Sequence, residues 1–185
     1  SFRIGGPAAI WVEPRDHKDL KTVLAFAKKS KIPLFVIGNG SNVLAKDEGF
    51  EGIVVRLGSP YFKRIALKGP RVRAGAGSSL PGLVRLCCDK GLGGIESLVG
   101  IPGTVGGAIY MNAGGWSNPI FKNIGDVVES LKVMDYNGNV KKLKHEKIVF
   151  GYRSSNLGAY IILEVSLKLG KSNREDLVAS CSRFL

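Results

Sequence analysis

The sequence is poor in the residues that announce a metal site, a disulfide scaffold or a membrane segment. Among its 185 residues are 3 cysteines and 2 histidines. Cys87, Cys88 and Cys181 have no metal-ligand spacing, so no metal is expected, and an odd count does not build an oxidised framework. A reducing, cytoplasmic setting is the natural expectation. The longest apolar stretches, such as residues 159–163, fall far short of the roughly 20 residues that a membrane-spanning helix needs. No cleavable leader is recognised, so a soluble protein without a membrane partner is expected. The chain opens on Ser1 instead of Met, which suggests trimming. Acidic residues are also scarce: 15 Asp+Glu face 27 Lys+Arg, a net charge of +12. That balance favours anionic partners, among them nucleic acid, phosphorylated metabolites and dinucleotides. The cations are dispersed, however, with short clusters only at Lys28-Lys29-Lys31 and Lys141-Lys142-Lys144. The first lies on the polar side of an expected helix, where a solvated face is the plainer reading. No aromatic residues interleave to make a stacking platform, so nucleic acid is the weaker candidate.

Hydrophobic residues at 44% and charged residues at 23% are ordinary for a folded chain and exclude a disordered, collagen-like or coiled-coil polymer. The 25 glycines are the excess to be explained, being about twice the roughly 7% of an average protein. The length predicts one domain or two small lobes sharing a core. Residues 9–12 read as a strand. Leu20, Val23, Leu24 and Ala27 recur at helical spacing and predict a helix over 18–30, bounded by Pro33. Strands are expected at 34–37 and 53–55, and a helix at 80–90 places Leu80, Leu83, Val84 and Cys87 on one face, with its cysteines as core fillers. Residues 127–136 and 140–143 flank Asn137-Gly138, a strong hairpin signal. A last strand follows at 160–169. Asn173, with Asp176 three residues on, reads as a helix N-cap ahead of Leu177, Val178, Cys181 and Phe184, an apolar face in need of a partner.

Three glycine motifs carry the chemistry. GNGSN at 38–42 follows a buried strand directly. Glycines at alternate positions allow positive φ and turn successive N–H groups toward one point, an anion nest suited to a pyrophosphate; an ordinary glycine turn is the competing reading. No Lys-Ser/Thr follows, so it is not a P-loop. GAGSSL at 75–80 imitates the start of a dinucleotide fingerprint, with Glu96 where a ribose-binding acid would be sought. Leu80 replaces its third glycine, which favours a loop that turns the chain and at most lines a cofactor with backbone. The third is GIPGTVGGA at 100–108 followed by Met111-Asn112-Ala113-Gly114. So many glycines within apolar sequence suit close backbone approach to a planar ring system.

GNGSNVL at 38–44, GIPGTVGGAIYMNAG at 100–114, the opening SFRIGGPA at 1–8 and FGYRSS at 150–155 stand in the order found in the UDP-N-acetylenolpyruvoylglucosamine reductases. The chain resembles that family over nearly its whole length. The resemblance implies an α+β fold: a two-lobed FAD-binding domain of the p-cresol methylhydroxylase / vanillyl-alcohol oxidase type. Residues 1–70 would form the first lobe and 71–170 the second. Residues 171–185 would be a helix leading toward an absent C-terminal substrate-binding domain. By the same resemblance Gly38, Asn39, Gly40, Ser41 and Asn42 would hold the FAD pyrophosphate, while Gly103, Thr104, Gly106 and Gly107 would run against the isoalloxazine ring. Arg153 would be catalytic, and Tyr152 and Asn112 would meet substrate. The implied activity is NADPH-linked, FAD-dependent reduction of UDP-N-acetylglucosamine enolpyruvate to UDP-N-acetylmuramate in peptidoglycan synthesis. A fixed guanidinium suits the negative charge that gathers on the substrate carboxylate as hydride arrives.

The departures from the family pattern are specific. The segment bearing the family's proton-donating serine and the glutamate that assists the arginine have no counterpart here, so the chain is expected to be inactive alone. Gly115-Trp116 stands where many members have Ala-Tyr, and the short link from Arg153 to Tyr160 matches the subgroup without an extra loop. Another flavin oxidase or dehydrogenase of the same superfamily is an alternative. A covalent flavin link would favour it, and His17 and His145 are poor candidates in their polar surroundings. A non-catalytic basic binding module is the second alternative.

Overall fold

The computed structural model describes residues 5–114 and 123–184, so Trp116 and the first four residues of the SFRIGGPA opening lie outside the described residues. Strand β1 (Ala8–Val12) leads into helix α1 (His17–Ser30), then β2 (Leu34–Ile37) and β3 (Phe50–Arg56). Asp16 caps α1 by accepting from the N–H groups of Lys18 and Asp19, and Lys31 ends it in the left-handed region at φ 55°. Leu20, Leu24 and Ala27, one to two turns apart, are its buried residues. The three strands form a parallel sheet in the order β1-β3-β2. Ile53 and Val55 of the central strand are buried on its core side.

The second sheet is antiparallel. Its strands are β4 (Ile65–Lys68) and β5 (Arg71–Gly75), followed after α2 (Leu80–Asp89), the short β6 (Leu92–Gly93) and α3 (Val105–Tyr110) by β7 (Val128–Asp135) and β8 (Val140–Lys144). A small hairpin, β9 (Phe150–Gly151) and β10 (Ser154–Ser155), precedes the long β11 (Tyr160–Lys168), the short β12 (Gly170–Lys171) and α4 (Arg174–Ser182). The sheet order is β4-β5-β11-β7-β8, so the last long strand lies at the centre. Asn137-Gly138 makes the β7–β8 turn as expected, with Gly138 at φ 82° and Asp135 accepting from the N–H groups of Asn137 and Asn139. The change from one sheet to the other falls between Arg56 and Ile65, ahead of position 70, because the Ile65–Lys68 strand pairs with β5.

The predicted helices and principal strands are all present. Additional to these are the paired strands β4 and β5, the two-residue strands β6, β9, β10 and β12, and α3 within the glycine-rich stretch. The apolar face of α4 finds its partner inside the chain. Leu177 and Cys181 are buried, α4 packs on α2, and the Cys181 and Cys88 sulfurs lie 3.0 Å apart. Asn173 caps α4 by accepting from the N–H groups of Glu175 and Asp176. One hydrophobic core runs from Leu20 of the first lobe to Cys181 of the last helix, so the lobes share an interior.

Candidate functional site

β2 delivers the chain into the 38–42 loop at the junction of the two sheets. Gly40 sits at φ +69°, a conformation that L side chains rarely adopt. A Cβ on Gly38 would stand 2.6 Å from the Thr104 hydroxyl oxygen, so the first glycine permits the approach of the second motif. The Ser41 hydroxyl donates to the Pro102 carbonyl at 2.8 Å, tying the two loops directly. The Asn39 carboxamide oxygen accepts from Arg56 Nη2 at 3.2 Å, and Arg56 Nη1 meets Glu13 Oε1 at 3.2 Å.

The 100–114 run is pinned by backbone. The Gly103 carbonyl accepts from Leu80 N, Val105 N donates to the Ser78 carbonyl, and Gly106 N donates to the Ala76 carbonyl. Gly103 is at φ +144°. Thr104 caps α3, its hydroxyl oxygen accepting from Gly107 N at 3.2 Å. Gly106 lies against Ala76, where a Cβ would come within 2.8 Å of the alanine methyl. Gly75 and Gly77 approach the carbonyls of Phe62 and Leu57 too closely for any side chain, which explains those glycines by chain packing. Glu96 accepts from Gly94 N at 2.8 Å and is not a cleft residue, so the ribose-binding role sought from a dinucleotide fingerprint falls away.

Tyr152 and Arg153 form the tip of the β9–β10 hairpin. Both are exposed, Arg153 is at φ 50°, and its guanidinium carbon lies 5.9 Å from the Tyr152 ring centre. The hairpin is stapled to the end of α3 by two bonds. Asn112 Nδ2 donates to the Gly151 carbonyl at 3.0 Å, and the Ser155 hydroxyl donates to the Tyr110 carbonyl at 2.7 Å. Asn112 is 8% exposed and at φ 44°, and its oxygen accepts from Gly125 N at 3.2 Å. Its carboxamide is therefore committed to backbone, and it does not line the cleft as a substrate contact would.

These segments enclose a cleft of about 640 Å³. Gly38, Asn39, Gly40, Ser41 and Asn42 line one part of it, and Gly103, Thr104, Gly106 and Gly107 another; Arg153 also contributes, whereas Tyr152 and Asn112 do not. Arg56, Lys63 and Arg153 are its charged lining residues, and no carboxylate lines it among the described residues. Sequence reasoning missed Arg56 and Lys63. The parallel pairing Ile37↔Arg56 sets Arg56 beside the 38–42 loop, and no local signal encodes that pairing. The residues present fit FAD. Two glycine loops let backbone line part of the cradle, the cations suit a pyrophosphate, and Ile101, Pro102 and Ala108 give an apolar surface for a flat ring.

Comparisons with known proteins agree with this geometry. The FAD binding domain model matches residues 8–144. The UDP-N-acetylenolpyruvoylglucosamine reductase of Clostridioides difficile (strain 630) is 40% identical over 179 residues, covering 96% of this chain and 57% of that protein. The reductase of the same name from Moorella thermoacetica is 40% identical over 170 residues, covering 91% and 54%. The crystal structure of UDP-N-acetylenolpyruvylglucosamine reductase (MurB) from Thermus caldophilus superposes with a TM-score of 0.81 at 35% identity, over 98% of this chain and 62% of that one. 6-Hydroxy-D-nicotine oxidase from Arthrobacter nicotinovorans shares the fold, with a TM-score of 0.68 at 18% identity over 91% of this chain and 38% of that one. The chain spans about half the length of the curated relatives it matches. Its two-lobed α+β architecture, its paired glycine loops and the match over residues 8–144 establish that the chain belongs to the FAD binding domain family.

Proposed function

We propose that this chain is the FAD-binding part of a UDP-N-acetylenolpyruvoylglucosamine reductase, acting in the cytoplasm. The observation that carries the reading is the meeting of the 38–42 loop, the 103–107 run and Arg153 around one cation-lined cleft. FAD bound there would supply the hydride relay between NADPH and the enolpyruvyl double bond of UDP-N-acetylglucosamine enolpyruvate. The chain's own residues bind and orient. The 38–42 backbone holds the pyrophosphate, Gly103, Thr104, Gly106 and Gly107 bring backbone against the ring, and Thr104 fixes that run by capping α3. Arg153 offers a permanently charged, forked donor to the substrate carboxylate, where negative charge gathers as the β-carbon accepts hydride. Tyr152, 80% exposed at the same hairpin tip, stands outside the cleft lining and offers its ring to a substrate that reaches past the cleft mouth. Asn112 supports the arginine through the Gly151 carbonyl and does so without touching substrate.

The test is titration of the purified chain with FAD, followed by anaerobic addition of NADPH. Quenching of flavin fluorescence with 1:1 stoichiometry and slow bleaching of the bound flavin are expected. A chain that leaves flavin fluorescence unchanged at high micromolar FAD is not the cofactor-holding part of such an enzyme.

A further inference from the structure

We propose that Arg56 is a direct ligand of the cofactor's diphosphate, oriented by Asn39 and occupied by Glu13 until an anion displaces it; this rests on the FAD reading above. The 38–42 loop offers oriented N–H groups and the side chains of Asn39, Ser41 and Asn42, none of which carries a full positive charge, whereas a diphosphate bridge carries about two negative charges. A complete site therefore calls for a cation within reach. Arg56 is placed for it. Its pairing with Ile37 puts it at the strand end where the loop begins, and it lines both the main cleft and an adjoining hollow of about 330 Å³ shared with Trp11 and residues 37–40.

Its present partners leave capacity for an anion. Of the five guanidinium N–H donors, the contact with Glu13 and that with Asn39 use one each at 3.2 Å, so three remain for phosphate oxygens. The Arg56–Glu13 pair is about one-third exposed on both sides, at 36% and 38%. An ion pair so well hydrated is worth little on its own and exchanges readily for a phosphate. Asn39 thus holds the guanidinium over the loop, while Glu13 partly offsets its charge until an anion takes its place. Arg suits this place better than Lys because its planar fork can keep the Asn39 bond and still present two parallel donors. Of the three cations that line the cleft, Arg56, Lys63 and Arg153, it is Arg56 that donates to the loop, through Asn39.

The experiment titrates the wild-type chain and the variants Arg56→Gln, Arg56→Lys and Glu13→Gln with FAD, ADP and riboflavin, by flavin fluorescence and calorimetry, with melting temperatures measured for each. Arg56→Gln is expected to weaken FAD and ADP about 10- to 100-fold while leaving riboflavin within about twofold. Arg56→Lys should recover part of the loss, and the Arg56→Gln protein should show a shallower fall in FAD affinity with salt. Glu13→Gln should tighten FAD, since it removes the competing carboxylate. Equal losses for FAD and riboflavin, FAD affinity within twofold of wild type in Arg56→Gln, or weaker FAD binding in Glu13→Gln would each make Arg56 a prop for the loop and overturn the proposal. Should Arg56→Gln fail to fold, Glu13→Gln and Arg56→Lys decide by the same signs. A wild-type chain that binds none of the three ligands overturns the FAD reading itself, an outcome distinct from selective indifference to position 56.

Discussion

At the scale of single residues, the cleft depends on atoms that are absent as much as on those present. Gly38 borders Thr104 so closely that a methyl group would have to displace the threonine hydroxyl, which also caps α3. Gly38→Val is therefore expected to weaken FAD binding by at least about tenfold, read by fluorescence quenching. Asn112 shows the opposite logic. Its buried carboxamide satisfies the Gly151 carbonyl and the Gly125 N–H, and it tolerates φ 44° as alanine would not. Asn112→Ala strands both groups and should cost about 2–4 kcal/mol, a fall in melting temperature of roughly 5–15 °C by calorimetry. A variant melting within 2 °C of wild type would show that the tie carries little. None of this was legible in the sequence around position 112. The MNAG segment reads as a site motif, and that its asparagine spends its bonds on backbone follows only from segments that meet through folding.

At the scale of elements, legibility tracked local pattern. Helices α1 and α2 declare themselves because apolar residues repeat at three and four, and β7–β8 because Asn-Gly separates two strand-like runs. Helix α3 does not, since Gly106 and Gly107 each disfavour a helix by about 1 kcal/mol. What overrides that penalty is the contact of Gly106 with Ala76, together with the Thr104 cap. Strand β4 has four residues and no clear alternation; its pairing with β5 defines it. The face of α4 looked unpartnered in the sequence, and α2 covers it.

The buried cysteines of α2 also make a prediction about pH. Burial pushes the Cys87 thiol from 9.0 up to about 12, and burial raises Cys88 as well. Between those values the unfolded chain loses protons that the native chain keeps, so the stabilising contribution is complete below about pH 9 and falls as pH rises toward 12. The expected slope is about 1.4 kcal/mol per pH unit for each such thiol. Cys87→Ala should remove one thiol's share of the slope, measured as urea midpoints across this range. Identical slopes in the two proteins would contradict the assignment.

At the scale of the whole molecule, the shared core and the cleft between sheets couple ligand binding to global stability. FAD at 100 times its dissociation constant should add about 2.7 kcal/mol, raising the melting temperature by roughly 5–10 °C. Differential scanning calorimetry with and without FAD measures it, and an unchanged transition would mean that the cleft holds no FAD. The net charge of +12 is read differently at this scale. Arg56, Lys63 and Arg153 are the cations that line the cleft, while exposed Arg71, Arg73, Lys132, Lys142, Lys144 and Lys168 lie on strands of the large sheet. Most of the positive charge therefore serves the general field around the protein, which gathers anions before any of them is bound.

The six residues of α3 set one further condition. The helix begins at the Thr104 cap beside one loop and ends where Tyr110 and Asn112 grip the hairpin that carries Arg153. Its length of about 9 Å is thus a spacer whose unit is the residue. Removing or adding one residue between 104 and 112 would turn the far end by about 100° and shift it by about 1.5 Å, enough to unhook both bonds at once. The stretch can accept changes of letter, but a change of count would leave two half-sites each well made and no longer facing one another.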